Sequence, residues 1–145
     1  MKTLIKGLLA TLGAVALAGP AVAQFGGPPA PPNTGVPLYT ELTGKVGHGY
    51  ATVVVDPPKG TACYIINVSG LDNITAAHIH IGGPTEAGDP VLTLDTPVGD
   101  DDDSEDCQDI DRGLAQAIVR DPGNYYVNVH TGPFPQGAIR GQLSK

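Results

Sequence analysis

The sequence predicts an all-β fold, an antiparallel Greek-key sandwich or small barrel with at most one short helix. Three observations carry this. Short runs rich in β-branched and aromatic residues recur along the chain, among them YATVVV at 50–55, TACYIINV at 61–68, PVLTL at 90–94 and YYVNVH at 125–130. Turn formers separate them, drawn from 20 Gly and 14 Pro. Within several runs apolar and polar residues alternate, the pattern of antiparallel strands with one buried and one wet face. Only residues 114–119, Leu-Ala-Gln-Ala-Ile-Val, carry apolar residues at helical spacing, and the Asp121-Pro122-Gly123-Asn124 run stops them.

Taken in order, residues 1–23 lie outside the fold. Lys2 and Lys6 precede an apolar run over 7–18, and Ala21-Val22-Ala23 ends it. This is the pattern of a secretory signal peptide, cut between Ala23 and Gln24. It places the product in the periplasm or outside the cell. The run is too short and too rich in Gly and Ala for a membrane span, and no other stretch is long enough, so no transmembrane segment is expected. Residues 24–37, QFGGPPAPPNTGVP, read as a disordered arm whose prolines act as a stiff spacer. The folded domain is expected over 38–145.

Cleavage leaves 145 − 23 = 122 residues, enough for one domain with one core. The whole chain carries 8 basic and 15 acidic residues; removing Lys2 and Lys6 gives 6 − 15 = −9. Such a surface attracts cations and argues against a nucleic-acid partner, which needs Lys and Arg against phosphate. Residues 100–111 concentrate the acid. Their carboxylates are consecutive and lack the glycine and distal glutamate of a calcium loop, so they read as a solvated acidic insertion. Cys63 and Cys107, the two cysteines, are expected to pair across about 44 residues, since export favours disulfides. Two free thiols or a soft-metal site are the alternatives.

The chemistry concentrates in histidine. In Thr75-Ala76-Ala77-His78-Ile79-His80-Ile81 the two-residue period sends Ala77, Ile79 and Ile81 to the core and His78 and His80 to the other face. Those two imidazoles then stand about 7 Å apart by Cα, close enough to share one ion. In 125–130 the same period buries Tyr125, Val127 and Val129 and turns Tyr126, Asn128 and His130 outward. His130 completes a three-imidazole set wherever its strand lies beside the His-x-His strand. Imidazoles suit copper best, with zinc as the second choice. His48, between Gly47 and Gly49, is a candidate fourth ligand; Tyr126, Asn128 and Arg140 are candidate supporting groups. No Gly-x-Ser-x-Gly, P-loop, dinucleotide turn or His-Glu-x-x-His occurs.

Three segments carry a resemblance: LDNITAAHIHIG at 71–82, GDPVLTL at 88–94 and GNYYVNVHTGPFPQGAIRGQL at 123–143. They resemble the CHRD domain, the module first named from chordin, in matching order across most of 39–143. Ala138 replaces the family's usual acidic residue before the Ile-Arg pair, the early EVPP-like segment is not recognisable, and 100–111 looks like an insertion. The resemblance implies a secreted domain, and an immunoglobulin- or superoxide-dismutase-like Greek-key fold over 38–145. A more distant likeness is to the copper,zinc superoxide dismutases, whose His-x-His strand and late Val-His strand supply copper ligands. That analogy falls on His78, His80 and His130, but the dismutases' zinc-binding loop has no counterpart here. The expected function is therefore binding of copper, or failing that zinc, without catalysis. The alternatives are a structural or adhesive module that binds an extracellular protein or surface, its histidines structural, and a dismutase-like redox enzyme.

Overall fold

A computed structural model of the chain describes residues 35–98 and 103–145. The expected signal peptide, most of the Pro-rich arm and the acids at 100–102 lie outside the described residues. Strands β1 (Val36–Gly44), β2 (His48–Asp56) and β3 (Thr61–Ser69) form an antiparallel meander. Their alternation is that of the sequence: Leu38 and Leu42, then Ala51, Val53 and Val55, then Ala62, Tyr64, Ile66 and Val68 point inward and are buried. The β2–β3 turn is tied at Asp56, whose carboxylate accepts from the Lys59 amide at 3.1 Å and whose carbonyl accepts from the Gly60 amide at 2.8 Å.

The chain then crosses to β4 (Ile74–Ile81), which pairs with β5 (Pro90–Leu94). Strand β6 (Asp103–Asp109) returns to pair with β3. Helix α1 (Arg112–Arg120) follows, then a single 3-10 turn, β7 (Tyr125–Thr131) and β8 (Ile139–Gln142). The helix begins where Asp111 caps the Leu114 amide at 2.9 Å, and it buries Ala115 and Ile118 against the barrel. The hydrogen-bonded order is β5-β4-β7-β8-β1-β2-β3-β6. The jumps β3 to β4 and β6 to β7 are Greek-key crossovers.

The sheet curls until its two edges nearly meet. Gln108 on β6 donates to the Thr93 carbonyl on β5 at 2.9 Å, and the buried Tyr64 hydroxyl accepts from the Asp95 amide at 2.8 Å. Val98 and Asp103 pair as an isolated bridge. The described residues form an almost closed eight-stranded antiparallel barrel with one short helix, the all-β class expected. Its interior holds one continuous core running from Leu38 through Ile79 and Val127 to Leu143.

Three features differ from the sequence reading. Residues 103–109, read as part of a solvated insertion, are a strand: Asn67↔Asp103 through Thr61↔Asp109 pair in register. Their acids are indeed exposed. Backbone pairing to β3 outweighs low β propensity, and a charged edge resists pairing with other chains. Ile81, expected in the core, is 44% exposed. The pairing of β4 with β5 shifts register between Ile79 and His80, and the strand ends there, past the core. Finally, every residue of β7 is buried, including the outward-facing Tyr126, Asn128 and His130. Two loops, 82–89 and 132–137, lie over that outer face. Cys63 and Cys107 sit directly opposite each other on β3 and β6 and form the expected disulfide.

Candidate metal centre

Strands β4 and β7 are antiparallel neighbours in the register Ala76↔His130, His78↔Asn128 and His80↔Tyr126. Paired residues share a face, so His78, His80 and His130 all project from the outer face of the barrel. His130 lies diagonal to His78. The ring centroids form a near-equilateral triangle: 5.0 Å for His78–His130, 5.5 Å for His78–His80 and 5.6 Å for His80–His130. One nitrogen from each ring can be chosen so that all three lie within 4.8 Å of one another.

Backbone carbonyls orient two of the rings. His80 Nδ1 lies 2.8 Å from the Gly88 carbonyl, and His130 Nδ1 lies 3.0 Å from the Pro135 carbonyl. A carbonyl can only accept, so each Nδ1 carries a proton, and in the neutral ring the lone pair is then on Nε2. Both Nε2 atoms, together with His78 Nδ1, are buried without a hydrogen-bond partner. A buried polar atom left unpaired costs about 1–3 kcal/mol, so three in one histidine cluster make it a candidate ligand set. A carbonyl on the far nitrogen is also the usual outer support of a metal-bound histidine.

Electrostatics favours the metal-binding form. Burial is the main cause that pulls His78 below the ordinary imidazole pKa, with the neighbouring His130 and His80 adding to it. Burial also lowers His130, against the Pro135 carbonyl, with His80 acting in the same direction as burial. Both rings are therefore neutral at pH 7, the state that coordinates metal. The sign of the stability dependence follows. Below the ordinary value of 6.5 the unfolded chain takes up protons on these two residues before the folded chain does. Stability is complete above 6.5 and is lost as pH falls toward the lowered folded values. Thermal midpoints of the metal-free protein at pH 7.5, 6.5 and 5.5 should fall in that order, and the fall should be smaller in His130→Ala.

Supporting side chains surround the triangle. Tyr126 stacks on His80 with centroids 5.0 Å apart and planes 9° apart, and its hydroxyl accepts from the Gly88 amide at 3.1 Å. Asn128, opposite His78, donates to the Gln136 carbonyl at 3.2 Å. The Arg140 guanidinium lies 3.5 Å from the centre of the Tyr126 ring. Gly137, with φ +122°, packs so tightly on the Asn128 amide that a Cβ there would collide with it. Gly137→Ala should cost about 1–3 kcal/mol in a denaturant titration, the range for a strained backbone position, and displace the loop that carries the Pro135 carbonyl.

The structure thus brings together His78, His80 and His130, with Tyr126, Asn128 and Arg140 near them, but not His48. His48 opens β2 between Thr43 and Ser69 and is exposed. Strand β2 stands three positions from β7 in the sheet, about 14 Å at the usual strand spacing. Sequence reasoning missed the Gly88 and Pro135 carbonyls and Gln142, whose amide donates to the carbonyls of Gly82 (3.0 Å), Gly123 (2.7 Å) and Tyr125 (3.3 Å). Glycine and proline marked those loops as loops, but not the direction in which their carbonyls point.

The fold and the site define a disulfide-bonded antiparallel β-barrel with a three-histidine cluster on its outer face. The chain belongs to the CHRD domain family, whose model matches residues 21–143. No curated protein and no solved structure matches it. Among the described residues no helix is long and apolar enough to cross a membrane.

Proposed function

We propose that this CHRD domain is an exported metal-binding protein that holds one copper ion through His78, His80 and His130 without catalysing a reaction. The observation that carries the reading is the convergence of three buried, unpartnered imidazole nitrogens, two of them with the opposite nitrogen fixed by a carbonyl. Among the described residues the set is all imidazole, with no thiolate or carboxylate, which suits copper, and zinc is the competing ion. The family, the Cys63–Cys107 disulfide and the signal-like residues 1–23 support the periplasm or the cell exterior as its compartment. The formal charge of −9 that remains without residues 1–23, 6 − 15, concentrates cations at the surface.

The test is calorimetric titration of the metal-stripped protein with copper and zinc, beside the His78→Ala/His80→Ala variant. One-to-one copper binding, tighter than micromolar and absent from the variant, is expected. Weak binding, or binding unchanged in the variant, would leave the histidines as structural residues of an adhesive or protein-binding module.

A further inference from the structure

We propose that Arg140 is a positioning residue for the histidine centre: by clamping the 82–89 loop it decides which nitrogen of His80 faces the cluster. The inference rests on His80 as a metal ligand and deepens that reading. It assigns the orientation of that ligand to a residue two strands away in the sheet.

The chain of contacts is continuous. Arg140 donates to the Glu86 carbonyl at 2.9 Å and to the Gly83 carbonyl at 3.0 Å, so one guanidinium spans the turn closed by the Glu86 amide on Gly83. Its planar fork suits two acceptors at fixed separation, which a lysine cannot match. The guanidinium is itself held, by Gln142 Oε1 at 2.9 Å and by the face of Tyr126. A few residues on, the same loop reaches Gly88. Its amide donates to the Tyr126 hydroxyl and its carbonyl accepts from His80 Nδ1. Gly88 also lies so close to the Ile81 carbonyl that a Cβ would collide with it, which fixes the path of the loop at this point.

Arg140 therefore acts on His80 by two routes. Tyr126, on the strand between β4 and β8, transmits a stacking contact, since its ring meets both the His80 imidazole and the Arg140 guanidinium. The loop delivers the Gly88 carbonyl. A free neutral imidazole prefers its proton on Nε2, whereas the Gly88 carbonyl demands it on Nδ1. Without Arg140 the carbonyls of Gly83 and Glu86 return to water, the loop end at Gly88 loosens, and His80 relaxes toward its intrinsic preference. The lone pair that should meet the metal is then replaced by an N–H.

Long-range proton–nitrogen spectra of histidine-labelled, metal-free protein at pH 8 test this directly, because they read the tautomer of each ring. The full chain and its Arg140→Gln variant are compared, with amide signals from β1 to β3 reporting that the variant is folded. Where Arg140→Gln does not fold, Arg140→Lys takes its place under the same reading. The expected result is His80 protonated on Nδ1 in the wild type and mixed in the variant, with copper binding at least tenfold weaker, the usual cost of losing an outer partner of a ligand. An unchanged His80 tautomer in a folded variant overturns the proposal, whatever the variant does to the thermal midpoint. The two readings separate cleanly. Failure of the wild type to bind copper removes the metal function, while the tautomer alone decides the positioning role.

Discussion

Copper at one hundred times its dissociation constant should raise the thermal midpoint of the metal-stripped protein by about 10 °C, and His130→Ala should abolish the rise. The first figure is linkage: a ligand that binds only the folded state at that excess adds about 2.7 kcal/mol. Each kcal/mol shifts the midpoint of a domain this size by about 4 °C. His130 is the informative position because it is the candidate ligand that β4 does not supply. His78 and His80 stand two residues apart on one strand and retain some of their geometry even in a loosened chain. His130 joins them only when β7 pairs with β4 in the register Ala76↔His130. The cluster is thus a product of folding, and a metal held there should report on folding. A structural role gives the opposite pattern: His130→Ala lowers the metal-free midpoint, through the lost Pro135 hydrogen bond, and copper shifts wild type and variant alike. Differential scanning calorimetry of both proteins, with and without copper, decides between them.

Much of this barrel was legible in the sequence because period-two patterning is a local signal. The inward set of β3 (Ala62, Tyr64, Ile66, Val68) and that of β7 (Tyr125, Val127, Val129) can be read off by counting alternate residues. Residues 103–109 defeated that reading for a physical reason. Asp103, Glu105, Asp106 and Asp109 have no apolar partner to alternate with, since an edge strand opposite β3 needs only its backbone and one cysteine to hold its place. Ile81 failed for another reason: alternation says which side a residue takes, not where the core ends.

The histidine site was half legible. The His-x-His spacing fixed two rings on one face, and alternation put His130 on the outer face of its own strand. Their meeting depended on the pairing of β4 with β7, which lie far apart in sequence and are joined through Greek-key crossovers. The same long-range order removed His48. Its glycine neighbours made it look accessible, which it is, but accessibility says nothing of the two strands, β8 and β1, that stand between β7 and β2. The outer face of β7 was expected to be wet and is covered instead. That cover is made of loop backbone, and the carbonyls of Gly88 and Pro135 that meet the rings are groups no side-chain pattern encodes.

Removing the disulfide should cost about 4 kcal/mol, the chain-entropy value for a loop of 44 residues, and the loss should begin at one edge of the barrel. Among the described residues the only strand that pairs with β6 is β3, and the exposed acids of β6 bury little apolar surface. Its other anchors are single contacts: Gln108 to the Thr93 carbonyl, Gln108 to the Tyr64 hydroxyl at 3.4 Å, and the Val98–Asp103 bridge. Cys63→Ser/Cys107→Ser, or reduction, leaves the repulsion among Asp103, Glu105, Asp106 and Asp109 opposed by the β3 backbone bonds and the Gln108 contacts. Urea titration of oxidised and reduced protein should show the loss, and added salt should recover part of it by screening those acids. Amide exchange should locate it: protection falls first in β6 and in the β3 amides paired to it, while β4 and β7 stay protected. Equal loss across all eight strands would mean that the bridge acts on the barrel as a whole. Protection retained in β4 and β7 would mean that the histidine cluster can form on a barrel whose edge is open, and a copper titration of the reduced protein should then match that of the oxidised protein.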